Sequence, residues 1–354
     1  MKKLIALLVA ATMVLTFAVT AFAEEPAEAP YAGEELTISF SSTYSETETG
    51  GEIIQWFKDY LEEKTEGKIK VNVTFGGTLF GSEDQLDGVA DGAVNMIALA
   101  HNPHSDMLPL LCSIPDFAPE STENALNYFD YLIFENEETA ALLQAEAESI
   151  GVKYLNVLAG GANTFISKNE FSNLQELIDK SKSFGNMEAA KFEALGLTVE
   201  AVLPWDYYNA FETGLIDSSQ MSSTPLVSMS IYEVAPYWMY DNTYTGGNFF
   251  TVNLDWWNGL SAEAQAAIED AAKATEEYSC ETYDNAIEAE QQFLVENGAT
   301  LVEISEEDSA WWWSDVMESK KADSLAIAEG NDNVEDVMTI LNAAAEFTGY
   351  EFAE

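Results

Sequence analysis

Residues 202–234, VLPWDYYNAFETGLIDSSQMSSTPLVSMSIYEV, decide the fold. Pro204 and Asp206 open a turn, Tyr208 and Phe211 fall three residues apart on one helical face, and Gly214 ends the helix. Leu215-Ile216-Asp217 is expected to be a short buried strand leading into a polar loop, Ser218 to Thr224. A second helix is expected from near Pro225, carrying Tyr232-Glu233-Val234. Helix, glycine stop, strand, polar loop and helix form the edge of an α/β domain. In such sheets, ligands bind at the carboxyl ends of the strands.

Working toward the amino terminus, the chain alternates strands and helices. Leu36 to Phe40 alternates at period 2, and Ser41 to Gly51 is a polar loop at that strand's carboxyl end. Ile53, Trp56-Phe57 and Tyr60-Leu61 keep helical spacing up to Gly67. Ile69, Val71, Val73 and Phe75 make a second strand, Gly76-Gly77 turns, Ser82 to Gly88 is a capped short helix, and Val94 to Leu99 is an unbroken buried strand. Strand, helix, strand, helix, strand requires a parallel sheet with right-handed crossovers. Helices follow at Glu123–Phe134 and Glu138–Ser149, then a strand from Val152 to Leu158 that crosses toward a second domain. That domain contains a strand from Lys180 to Phe184, a helix from Glu188 to Gly196 and a return strand from Phe249 to Leu254. No Gly or Pro interrupts the run from Ala262 to Glu296, so one helix of about 50 Å is expected, long enough to brace both domains. The tail, with Trp311-Trp312-Trp313 and a helix over Val334–Phe347, is expected to pack back on the domains. The expected domain bounds are 36–155 and 156–260 for the two α/β domains, 261–298 for the bracing helix and 299–354 for the C-terminal helices.

The order of these motifs resembles TRAP-transporter substrate-binding proteins, the DctP-type family. The stretch opening on Pro204 and ending at Tyr232-Glu233-Val234 is similar to that family's P-x-x-E-x-Y-x-A-L-x-x-G-x-x-D … Y-E-V signature. GKIKVNV with GGTLFGSEDQLDGVADGAVNM, Leu174-Gln175-Glu176-Leu177, and Trp257 with Leu260 to Gln265 match further family runs in the family's order. The resemblance covers about residues 36–278. It implies a two-domain periplasmic-binding-protein-like fold with a ligand cleft between the domains and hinge closure. It also implies that the chain captures a small organic solute, an organic acid first, and delivers it to TRAP membrane subunits without chemistry on the ligand. No cofactor is expected. A receptor for an ATP-driven importer and a secreted hydrolase using paired carboxylates are the competing readings.

Composition restricts the partners. The chain has 62 acids against 14 basic residues and a formal charge of −48, and it contains no arginine. Nucleic acid and anionic membranes need basic patches and are excluded as partners. Lys2 and Lys3, the apolar run from Leu4 to about Thr20 and Ala21-Phe22-Ala23 read as an export signal with its cleavage site, followed by an acidic linker over 24–35. The mature chain is therefore expected outside the cytoplasmic membrane, not inserted in it, and monomeric. Cys112 and Cys280 are the only cysteines, and two separate thiols are the default.

The family's ligand chemistry sets the candidate site. An arginine on the strand after the Leu174–Leu177 helix commonly clamps a carboxylate, and the corresponding positions here are Lys182 or Ser183. A second family arginine falls at Asn163, and the family's Q-E-N-P loop falls on Ser219-Gln220-Met221-Ser222, with Met221 in place of the asparagine. Lysine supplies a point charge and not the planar two-pronged fork. Either Lys182 meets an acid alone, or Asn163, Gln220, Met221, Tyr208 and His101 hold a neutral or cationic ligand. His101 and His104 flank a proline that prevents a regular helix and have no third ligand nearby, so no metal is expected.

Overall fold

A computed structural model of the protein describes residues 31–100, 104–115, 117–186, 189–331 and 333–352. The segment expected to be an export signal and most of the acidic linker lie outside the described residues, as does His101.

The first domain is built as its alternating sequence requires. Strands β1 (Leu36–Ser41), β2 (Ile69–Thr74) and β3 (Met96–Ala100) are parallel, in the order β2-β1-β3. Helices α1 (Thr49–Lys64) and α2 (Gln85–Ala90) cross over between them. Short α3 (Pro109–Cys112) and β4 (Phe117–Pro119) follow, then α4 (Thr122–Asp130), a π-helical turn over Tyr131–Glu135, and α5 (Glu137–Ser149). One core cluster that includes Ile38, Phe57, Leu99, Tyr154 and Phe249 fills this domain.

Two long strands connect the domains. After β5 (Val152–Tyr154) the chain enters β6 (Leu158–Ser167), and it returns along β10 (Tyr237–Asn253). These strands pair antiparallel, with breaks in register between Tyr240 and Asn248. The far end of β10 pairs with β3 and β5, and the far end of β6 pairs with β9 (Ser218–Ser222), so each strand belongs to both domains. Gly160 permits their contact, because a Cβ there would sit 2.4 Å from the Thr245 carbonyl oxygen.

The second domain adds α6 (Leu174–Lys180), β7 (Phe184–Gly185), α7 (Ala189–Ala194), β8 (Val199–Glu200), α8 (Tyr207–Thr213) and, after β9, α9 (Ser223–Ser228). Its sheet lies between two clusters, one around Ile166, Phe211, Leu226 and Trp238, the other around Phe165, Phe184, Phe192 and Trp312. Gly214 ends α8 in the left-handed conformation at φ 76°, as the helix stop requires.

Three expectations here need correction. The helix expected from near Pro225 ends at Ser228, because Ser230 turns left-handed at φ 58°, and Tyr232-Glu233 fall in a separate 3-10 turn over Ile231–Glu233. The strand is Ser218–Ser222, not Leu215–Asp217, because that polar run carries the backbone pairing to β6 while Ile216 only fills core space. The strand expected from Lys180 shrinks to Phe184–Gly185, since Lys180 completes α6.

After α10 (Leu254–Asn258), α11 (Ala262–Glu296) runs unbroken for 35 residues. Ser261 caps its start by accepting from the Ala264 amide. Ile268 and Ala272 pack in the first domain's core and Leu294 in the second's, so the helix braces both. Short β11 (Thr300–Leu301) precedes α12 (Glu306–Asn331), whose Trp312 joins the second domain and Ala328 the first, and α13 (Val334–Thr348) closes the first domain. Cys112 and Cys280 are not joined by a disulfide. No helix of the described residues is long and apolar enough to cross a membrane.

Candidate functional site

A cavity of about 390 Å³ lies where the two domains meet. The first domain supplies Tyr44, Glu48, Thr49 and Gly50, from the polar loop after β1 and the first turn of α1. The second supplies Ser222 at the end of β9 and Thr224, Pro225, Ser228 and Met229 from α9 and its exit. Between them stand Gly160 and Gly161 of β6 and Thr245 and Asn248 of β10, with Tyr283 of the bracing helix. The cavity thus touches the carboxyl ends of β1 and β9 and both connecting strands.

Local structure fixes these side chains. The Tyr44 ring lies against the first turn of α1, where a Cβ on Gly50 would meet it at 2.7 Å. Tyr44 is hydrogen bonded to Tyr283 and Asn248, and burial raises both tyrosine pKa values above the ordinary one. Glu48 turns back to accept from the Ser45 amide at 2.7 Å. Behind α9, Ser223 donates to Glu290 at 2.6 Å; burial pushes the Glu290 carboxyl up, and hydrogen bonds from Ser223 and Thr224 oppose that. Among the described residues, the cavity lining contains hydroxyls, one amide, two phenols and one carboxylate, and no cation.

The residues singled out from sequence are distributed differently. Asn163 and Gln220 come together, but in a buried network beside the cavity. Asn163 donates to the Thr243 hydroxyl at 3.1 Å, Thr243 donates to Asp241 through its amide and hydroxyl, and Gln220 donates to Asp241 at 2.8 Å. Asn186 completes the network by donating to the Gln220 carbonyl at 2.7 Å. Asp241 is fully buried, which raises its pKa, while Gln220, Thr243 and nearby Lys191 favour its charged form. Met221 faces the opposite side of the sheet and packs against the Ile166 cluster. Tyr208 is half-buried and donates to Glu233 at 3.0 Å.

Lys182 and Ser183 do not reach the cavity. They precede β7, where the Lys182 amide donates to both Asp217 carboxylate oxygens at 3.2 Å and the Ser183 hydroxyl donates to the Leu215 carbonyl at 2.6 Å. β7 runs parallel to β9, so Lys182 sits beyond the amino end and the cavity at the carboxyl end, roughly 20 Å away along the strand. Both positions lie just before β7 and outside the cavity lining. Sequence reasoning did not single out Tyr44, Thr245, Asn248 or Tyr283. The loop holding Tyr44 was visible as polar sequence after a strand, whereas Tyr283 is marked only by its phase on the long helix.

The model of bacterial extracellular solute-binding proteins, family 7 (DctP), matches residues 40–322. The chain belongs to that family. Among relatives of this family 7 protein, the ectoine/5-hydroxyectoine-binding periplasmic protein UehA of Ruegeria pomeroyi is 24% identical over 307 residues, 84% of this chain and 85% of the relative. The C4-dicarboxylate-binding periplasmic protein DctP of Rhodobacter capsulatus is 24% identical over 300 residues, 80% of this chain and 85% of that one. The crystal structure of a TRAP periplasmic solute-binding protein from Roseobacter denitrificans, with bound β-D-glucuronate, superposes with a TM-score of 0.68 at 17% identity, covering 89% of this chain and 100% of that one. The two-domain fold and the long helix are those of TRAP solute-binding proteins. These proteins are receptors that bind small ligands and work with TRAP membrane subunits, not enzymes, which disposes of the hydrolase reading.

Proposed function

We propose that this family 7 protein is exported, captures a small organic solute in the cavity between its domains and delivers it to a TRAP-type membrane permease. The cavity carries the reading: both domains and both connecting strands contribute to its wall, so a bound solute favours the closed arrangement. Its volume falls in the range of about 300–1,000 Å³ usual for small-molecule sites. The solutes bound by relatives and structural neighbours, among them glucuronate, galacturonate and C4-dicarboxylates, make organic acids the first class to test. A carboxylate here would be met by hydroxyls and by the first-turn amides of α1, and not by the side chain of Lys182.

The test is a thermal-shift screen of organic acids, sugars and amines on the chain without its export signal, alongside Gly161→Leu. Gly161 lies on the cavity wall, where a Cβ would contact Ser222, Thr224 and Tyr283 at 3.4–3.8 Å, so a larger side chain fills the space. A ligand at 100 times its Kd stabilises the native state by about 2.7 kcal/mol, and Gly161→Leu removes that shift. A ligand that shifts both proteins equally places the site elsewhere.

A further inference from the structure

The cavity lining carries a narrower inference, which rests on the solute-receptor reading above. We infer that the ligand is recognised through hydroxyl groups on a ring or short chain and not through a negative charge, so that a sugar acid and its uncharged counterpart bind alike.

Three observations support this. First, the wall presents the hydroxyls of Thr49, Ser222, Thr224, Ser228 and Thr245 with the Asn248 amide. Thr224, Ser228 and Thr245 already donate to Glu290, the Thr224 carbonyl and the Gly161 carbonyl and so offer acceptors to a ligand, while Thr49 and Ser222 can donate and accept; ligand hydroxyls, which do both, pair most completely with such a set. A carboxylate only accepts, and it would leave their acceptor capacity unused. Second, the one ionisable carboxylate on the wall, Glu48, and the one just behind it, Glu290, repel an anion, and neither Lys nor Arg lines the cavity. With a chain charge of −48 the surrounding field adds to that repulsion. Third, Tyr44 of the β1–α1 loop and Tyr283 of the bracing helix, hydrogen bonded to one another, form one aromatic part of the wall. Aromatic faces are electron-rich, so they suit C–H surfaces and disfavour carboxylates. Gly161 leaves the wall beside Tyr283 without a side chain, which gives a ring somewhere to lie.

A cationic ligand suits the carboxylates and aromatic faces too and can donate to the hydroxyl oxygens, but its charged group has nothing to accept from the Thr49 and Ser222 hydroxyls. Glu48 is moreover already engaged with the Ser45 amide.

The experiment is calorimetric titration of the mature chain with matched pairs, D-glucuronate against D-glucose and D-galacturonate against D-galactose. Malate and an amine series serve as ligands of other classes, and each is measured at low and at high NaCl. The expected result is that acid and neutral partner bind within about threefold of one another at high salt. The acid's affinity rises with salt, because screening removes repulsion, while the neutral sugar's stays level. Ser222→Ala lowers both affinities by the same factor, about three- to tenfold, with an unchanged melting curve in the absence of ligand.

If the acid binds more than tenfold tighter than its neutral partner and weakens as salt rises, a cation holds it; the inference falls and the receptor reading stands. If only malate or amines bind and Gly161→Leu abolishes that binding, the inference also falls and the receptor reading again stands. If no compound of any class binds the folded chain, both fall together.

Discussion

Glu146 shows how one buried side chain sets a pH dependence. It accepts from the Leu110 amide at 2.6 Å and the Leu111 amide at 2.9 Å, satisfying donors at the start of α3. Burial nevertheless pushes its carboxyl up to about 7, against those two hydrogen bonds. A carboxyl whose pKa is higher in the folded state contributes stability below its ordinary value of 4.5, and this is lost as pH rises through about 7. Glu146→Gln keeps the shape and cannot ionise. The variant is expected to gain on wild type by up to ~3 kcal/mol between pH 4 and pH 8, measured by urea unfolding at both values. A gap that does not change with pH would remove Glu146 from the account. Single residues were also where the sequence was least informative about the site. Asn163 and Gln220 were singled out and do meet, yet Asp241, the group they serve, lies about 20 residues further on in a strand and carries no local mark. Lys182 attracted notice as a charge on the expected strand, and nothing in the sequence revealed that its backbone is held by Asp217.

At the scale of elements, legibility followed hydrophobic pattern. β1, β2 and β3 were readable because alternation or an apolar run is how a half-buried or fully buried strand must look. β9, spelled Ser-Ser-Gln-Met-Ser, has no such pattern and is a strand only because β6 pairs with its backbone. β10 was readable only at its end, because Asp241, Asn242 with φ 60° and Gly246 interrupt the alternation along its first half. The bracing helix was readable from the absence of Gly and Pro; its attachment to the connecting strands was not. That attachment is polar. Asn156 donates to the Ala272 carbonyl at 2.7 Å and accepts from the Phe250 amide at 3.0 Å, and Ser279 accepts from the Ala159 amide at 2.9 Å. Asn156 therefore ties β10, the β5–β6 crossing and α11 into one joint. Replacing it with alanine strands the buried Phe250 amide, which costs ~1–3 kcal/mol, while the Ala272 carbonyl keeps its bond within the helix. Asn156→Ala should lower the unfolding free energy accordingly and speed hydrogen exchange at the Phe250 amide. Unchanged protection at that amide would mean the joint is held by packing alone.

Over the whole molecule, the two connecting strands and the bracing helix create a conflict between charge and shape. Closing the cavity brings together two bodies that share a charge of −48, so repulsion favours the open arrangement and a ligand must overcome it. The irregular pairing of β6 with β10 between Tyr240 and Asn248 is where bending costs least, since the ladder is already broken there. Solution scattering separates the two influences. A compact body of this length has a radius of gyration of about 20 Å. The ligand-free chain at low salt is expected above that value, and saturating ligand should move it toward it. Salt alone should produce a smaller contraction, because at 0.1 M the Debye length of about 10 Å leaves only near charges interacting. The Gly161→Leu variant, which cannot admit the solute, should respond to salt and not to ligand. Contraction with ligand in that variant, or none in wild type at saturation, would show that solute binding and domain closure are not linked in this protein.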